Sequence, residues 1–342
     1  MLLIKLIIFL PLVVWAKLPE LSTKQSLGNI RFISLDGKIT YYQIRSGALS
    51  ITSNYKNQVL LKSEMNTQYF INTSASRKKM TIEMDNSFHQ NYNLLKLNKI
   101  FISNFGGIEA QEIGDGRNPQ LHLDDTWLSY YDPMKREITL QFLNLKERKI
   151  IIPITNKINP YFIPDVVMLN PETILYTDLN SFGKMGVMKY NHVDKKYINV
   201  IKSEQNGIKI ELCLKENNLL VGQFSYPTLK RGSSISRMKI DASGTATSAE
   251  VIYSSVMEDP GNIICNTSND KIYFVKAISK GESVYTEVAE INIKTKQLAI
   301  VSDLKYVAQV ISMDQRILIP FQDKFFVIAG SDKVDKDEFK KR

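Results

Sequence analysis

A hairpin-like unit that returns at near-constant spacing constrains this chain more than any other feature of its sequence. An apolar run enters a polar turn and leaves as a second apolar run at 32–42, 120–131, 166–176, 212–221, 263–275 and 310–319, with a weaker copy at 69–82. From Gly37 to Gln315 these seven copies lie about 46 residues apart. The runs are short, rich in Ile, Val, Tyr, Phe and Thr, and bounded by Asp, Asn, Gly, Ser and Lys, and no useful window keeps a helical period.

Two more strand-like runs follow each hairpin, as at Glu137–Phe142 and then Lys149–Ile152. Four strands in a repeat of this length make one blade of a β-propeller, because a lone sheet cannot bury both faces and must stack on its neighbours. The expectation is therefore an all-β chain of about seven four-stranded blades; a six-bladed ring or an open solenoid also fits the spacing. The last copy is short, ending at Phe325–Ala329. Closure then needs a strand from elsewhere, and Leu18 to Leu27 is the segment predicted to complete the last blade.

The two ends read differently. Residues 1–16 carry Lys5 within an apolar run that ends at Ala16, too short to span a bilayer, which is the pattern of a secretory signal peptide. An uncleaved N-terminal anchor is the alternative, and either places the rest of the chain outside the cytoplasm. A single propeller domain is expected over 17–330, and the charged stretch 331–342 reads as a disordered tail. Net charge is +9, or +8 without Lys5, which favours acidic partners such as a protein face or an anionic glycan over nucleic acid in an exported, monomeric chain.

The hairpin Asn118–Asp132, with a proline, a strand, a polar tip at Asp124-Asp125 and a second strand, resembles the repeat of TolB-like propellers, and Ser34-Leu35-Asp36-Gly37-Lys38 is similar. That resemblance implies an extracytoplasmic binding propeller, periplasmic or at the cell surface.

Little in the sequence points to catalysis. Gly-x-Ser-x-Gly is absent, and His89, His122 and His192 fall in three different repeats, which offers no metal geometry and calls for no cofactor. Asp36, Asp124, Asp125, Glu172, Glu216, Asp270 and Asp314 sit at equivalent hairpin tips, where Asp and Asn bond the local backbone. Turn chemistry accounts for them better than the paired acids of a glycan hydrolase or lyase, which stays as the alternative function beside a carbohydrate-binding adhesin. Cys213 and Cys265 fall at matching heights on the innermost strands of adjacent blades. A bridge needs Cα atoms within about 7 Å, closer than neighbouring blades are expected to come, so two packed thiols are favoured over a disulfide.

The functional signal lies in the loops between second and third strands, which ring one end of the fold. They are expected to carry Arg45, Lys135 with Arg136, Lys184, Lys230 with Arg231, Lys280 and Lys324, a cation from six of seven blades. The loop Tyr226–Ser234, with Tyr226 at its start, is expected to be the longest. The sequence thus predicts a non-catalytic interaction module with a basic rim.

Overall fold

In the computed structural model the described residues comprise twenty-seven strands between Glu20 and Ala329 and most of the turns within 97–301; side chains are described only within 59–305. Residues 1–16 and 331–342, expected to be a signal peptide and a tail, lie outside the described residues. No helix among the described residues is long and apolar enough to cross a membrane.

The strands follow one another as antiparallel meanders. The first comprises β2 (Asn29–Leu35), β3 (Ile39–Arg45), β4 (Ala48–Ser53) and β5 (Lys56–Lys62). A seven-stranded sheet follows, from β6 (Gln68–Thr73) through β7 (Lys79–Asp85), β8 (Asn98–Asn104), β9 (Ala110–His122), β10 (Trp127–Asp132) and β11 (Glu137–Phe142) to β12 (Lys149–Pro153). Then come β13 (Val166–Asn170), β14 (Thr173–Leu179), β15 (Met185–Asn191) and β16 (Lys196–Lys202). The next four are β17 (Gly207–Cys213), β18 (Asn218–Phe224), β19 (Ser233–Lys239) and β20 (Glu250–Ser255), followed by β21 (Glu258–Asn266), β22 (Lys271–Lys280), β23 (Ser283–Asn292) and β24 (Leu298–Ile300). The last sheet joins β25 (Ile311–Met313), β26 (Arg316–Phe321) and β27 (Lys324–Ala329) to β1 (Glu20–Leu21).

The N-terminal strand therefore completes the last sheet, with Glu20 opposite Phe326 and Leu21 opposite Phe325, inside the segment predicted from sequence. The seven-stranded sheet is two meanders fused through β9. That strand pairs with β8 along its first half and with β10 along its second, so it is the fourth strand of one unit and the first of the next. Gly116 sits where the two halves meet. A side chain there would press on Tyr130 Cδ2 at 2.7 Å, Ile100 Cδ1 at 2.9 Å and the Tyr131 carbonyl at 3.2 Å, which is why the crossing needs glycine. Counted this way, the five four-stranded sheets and the double sheet make seven meanders.

Each apolar core lies between two neighbouring sheets. Trp127, Ile138, Leu140, Ile150 and Ile152 of one sheet meet Val166, Met168, Ile174 and Tyr176 of the next, and Val187 and Leu175 meet Ile208, Leu219 and Val221 in turn. Alternation along the strands makes this work, since every second residue faces one neighbour and the remainder face the other. Turns are closed by a recurrent device: a strand-ending Asn or Asp accepts the N–H groups two and three residues on. Asp132 does so from Met134 and Lys135 (2.9 and 3.0 Å), Asn191 from Val193 and Asp194 (2.9 and 3.0 Å), and Asn292 from Lys294 and Thr295 (3.0 Å each).

Cys213 and Cys265 form a disulfide, with Cα atoms 5.7 Å apart, in place of the packed thiols expected from the sequence. The first strands of successive meanders converge, and β17 packs directly on β21. The spacing between neighbouring blades falls toward the axis, so a distance that holds for outer strands overestimates it for inner ones.

Candidate functional site

Strand order fixes which connections share an end of the fold. In an antiparallel meander the first strand starts at one end, so the second-to-third connection and the link to the next meander return to that same end. Arg45 ends β3, Lys135 and Arg136 lie between β10 and β11, Lys280 ends β22, and Lys324 opens β27. Lys184, Tyr226, Lys230 and Arg231 fall in the β14–β15 and β18–β19 connections, outside the described residues. Among the described positions, Arg45, Lys135, Arg136, Lys280 and Lys324 share one end.

Two details differ from the sequence reading. The longest second-to-third connection is 86–97, between β7 and β8, and not the one holding Tyr226. It carries Lys96, so the seventh blade also contributes a cation. Leu94, Leu95 and Leu97 around Lys96 gave that segment the composition of a strand and concealed it. Connections 86–97, 133–136, 180–184 and 225–232 contain no acidic residue.

The acids nearby are engaged at the ends of strands. Asp132 closes its turn and lies 3.6 Å from the exposed Lys135 ammonium. Asp85 lies 3.7 Å from Arg117 Nη2, and Glu83 accepts from Asn98 Nδ2 at 2.6 Å and from the Asn118 N–H at 2.8 Å. Burial pushes the Glu83 carboxyl up, opposed by those two hydrogen bonds and by the Arg117 charge. Glu287 is held by Lys305 at 2.5 Å, from the connection that follows β24.

At the start of β13 and on β17 lies a pair of acids away from the hairpin tips. Asp165, immediately before β13, accepts the Ile210 N–H of β17 at 3.4 Å, and its own N–H donates to Thr177 Oγ1 at 2.8 Å. Glu211, on the same strand as Ile210, feels the Asp165 charge. Burial first and then Asp165 push its carboxyl up to about 8, against the pull of Lys209. Burial likewise raises Asp165. Asp165 precedes one first strand and Glu211 lies on the next, 46 residues on, about one repeat, which is the signal that would have found them.

Other sequence candidates take structural roles. The His122 imidazole shares a 2.7 Å hydrogen bond with Ser129 Oγ, and burial pushes its pKa down to about 4, so it is neutral at ordinary pH. At the hairpin tips Asp124 and Asp125 occupy left-handed backbone at φ 53° and 65°, and Asp270 pairs with Lys294 at 2.5 Å. These are turn positions. Asp36, Glu216 and Asp314 lie outside the described residues.

No protein-family model matches this chain, and no curated protein does. Solved structures do. A streptogramin B lyase superposes with a TM-score of 0.54 at 13% identity, over 91% of this chain and 96% of that one. An oligogalacturonate lyase in complex with manganese gives 0.52 at 10% identity, over 86% and 80%. The β-propeller domain of the trilobed protease from Pyrococcus furiosus gives 0.50 at 12% identity, over 73% and 78%. The fold is a β-propeller. That archaeal propeller is described as having an open velcro topology, whereas here β1 joins β27. TolB from Acinetobacter baumannii is also similar, with a TM-score of 0.46 at 13% identity over 76% of this chain and 62% of that one. Each likeness is one of fold.

Proposed function

We propose that this propeller is an exported, non-catalytic interaction module of the cell envelope that binds an acidic partner, a protein or an anionic glycan, through the basic loops at one end. The observation that supports the reading is the chain order: a Lys or Arg falls in or beside every second-to-third connection, and in an antiparallel meander those connections return to one end. In four of these connections no acid offsets the cations within the loop. A ring of like charges on a rigid scaffold raises the local potential and steers an oppositely charged surface toward it. Export is supported by the apolar segment 1–16 and by the Cys213–Cys265 disulfide, a bond that persists in oxidising compartments. The test is affinity capture from an envelope extract at low and high salt, with the Lys230→Glu/Arg231→Glu variant as a second bait. Salt-sensitive recovery of an acidic protein or polymer, reduced by the variant, supports the reading; equal recovery by both baits sinks it.

One observation favours a second reading, a glycan-active hydrolase or lyase. Asp165 and Glu211 are acids away from the hairpin tips on neighbouring blades, and Glu211 keeps its proton to about 8. A proton donor beside a second carboxyl is the arrangement acid–base cleavage of a glycosidic bond requires. Cleavage of an anionic polysaccharide that is lost in Glu211→Gln, while the charge-reversed loop variant keeps it, selects this reading.

A further inference from the structure

Outer strands of the propeller carry free backbone edges, and they are not alike. β12 buries Ile150 and Ile152 and ends in Pro153, which cannot donate a ladder hydrogen bond; β20 buries Ile252 and Tyr253. β16, Lys-Tyr-Ile-Asn-Val-Ile-Lys, buries none of its seven residues. Tyr197 is 41% exposed and Ile198 49%. An apolar centre of this kind on an edge strand is a template for pairing with another chain.

Beside β16 lies a groove of about 550 Å³, walled by Ile198, Val200 and Ile201 on one side and by Met238, Ala246 and Ala249 of the next blade on the other. The far wall is fixed in place. The Asp241 carboxylate accepts Ser243 Oγ at 2.6 Å and the Thr245 N–H at 2.9 Å, while Asn170 Nδ2 and Lys189 Nζ reach across from the neighbouring blade to the carbonyls of Ala242 (2.6 Å) and Ser243 (3.2 Å). On the opposite face of β16 the Tyr197 ring packs on Tyr190 at 4.9 Å, which holds the strand in register. The groove is therefore formed before anything enters it.

Charge decides what fits. Lys196 and Lys202 flank the apolar centre, both exposed, and Lys195 adjoins them; none has an ion-pair partner among the described residues. β16 carries a bulge at Val200, and in an antiparallel pairing of β16 with a second copy the lysine at each end would still be brought beside the lysine at the other, a like-charge approach that is destabilising. A strand with acids at those positions reverses the sign of both contacts. We propose that the edge of β16 and its groove receive an extended acidic segment of a partner protein, which adds as a fifth strand. It sets one apolar side chain into the groove and places carboxylates against Lys196 and Lys202. This surface lies on the outer flank of the ring; Lys202, paired with Gly186, sits toward the loop end, whereas Lys196, Ile198 and the groove lie farther along the strand.

The test uses the purified protein and a labelled nine-residue peptide alternating glutamate with valine. Its controls are a counterpart with lysine for every glutamate and one N-methylated at every residue, which has no N–H left to donate to a strand edge. Fluorescence anisotropy is expected to show binding of the acidic peptide, at least tenfold weaker binding of the lysine and N-methylated peptides, and hydrogen-exchange protection of the 196–202 amides. Ile198→Asp and Lys196→Glu/Lys202→Glu, both at exposed positions, are each expected to weaken binding at least fivefold, with native circular dichroism retained. The proposal is overturned if the acidic peptide does not bind, if all three peptides bind alike, or if protection maps elsewhere. Concentration-dependent dimerisation abolished by the same two variants overturns it in favour of a second copy.

Discussion

Replacing Glu211 with glutamine isolates the energetic consequence of placing an acid near the propeller axis. An unfolded chain titrates glutamate near 4.5, whereas the folded protein holds the Glu211 proton to about 8 because of burial and the neighbouring Asp165. Between those values the folded state binds one more proton than the unfolded state, so this group's contribution to stability is full below about 4.5 and is lost as pH rises through about 8. Each pH unit in that window is worth about 1.36 kcal/mol, which sets a ceiling of roughly 5 kcal/mol. Glu211 keeps part of its surface exposed and Lys209 pulls the other way, so the expected loss between pH 5 and pH 8.5 is about 1 to 2 kcal/mol. Glutamine cannot ionise. Urea unfolding of Glu211→Gln at the two pH values should therefore match wild type within about 0.5 kcal/mol at pH 5 and exceed it by about 1 to 2 kcal/mol at pH 8.5. Identical pH dependence in both proteins would refute the placement of Glu211 beside Asp165 in a poorly solvated site.

Further outcomes follow from the packing. The bridge between Cys213 and Cys265 closes a separation of 52 residues, and the loop-entropy estimate for a closure of that length is about 4 kcal/mol. The double Cys→Ser variant should therefore lower the urea midpoint, and reductant should do the same to wild type but not to the variant. Gly116→Ala puts a methyl group 2.7 Å from Tyr130 Cδ2 and 3.2 Å from the Tyr131 carbonyl, and should cost about 1 to 3 kcal/mol in the same assay.

The hairpins were legible because alternation and turn chemistry agree at each repeat. Val166–Asn170 and Thr173–Leu179 pair as read, around a turn where Asn170 Oδ1 takes the N–H groups of Glu172 and Thr173. Ring closure was legible too, since a short last repeat needs a strand and only the N-terminal segment was spare. The continuity of β9 was not. Gly114-Asp115-Gly116 has the composition of a turn, yet it lies inside a thirteen-residue strand because glycine is what the crowding against Tyr130 and Ile100 requires. The disulfide and the Asp165–Glu211 pair escaped for one shared reason. Both depend on how closely first strands approach at the axis, a distance carried by the closed ring and not by any local stretch of sequence. Lys96 was missed because its apolar neighbours gave the segment the composition of a strand.

The central claim is that the loop end binds an acidic partner through charge. Its most direct test is titration of the propeller with polyglutamate and with alginate, at low and at physiological salt, for wild type and for Lys230→Glu/Arg231→Glu. The account predicts binding that weakens as salt rises and a shallower salt dependence with lower affinity in the variant. Binding of equal strength in both proteins, or binding indifferent to salt, would contradict it.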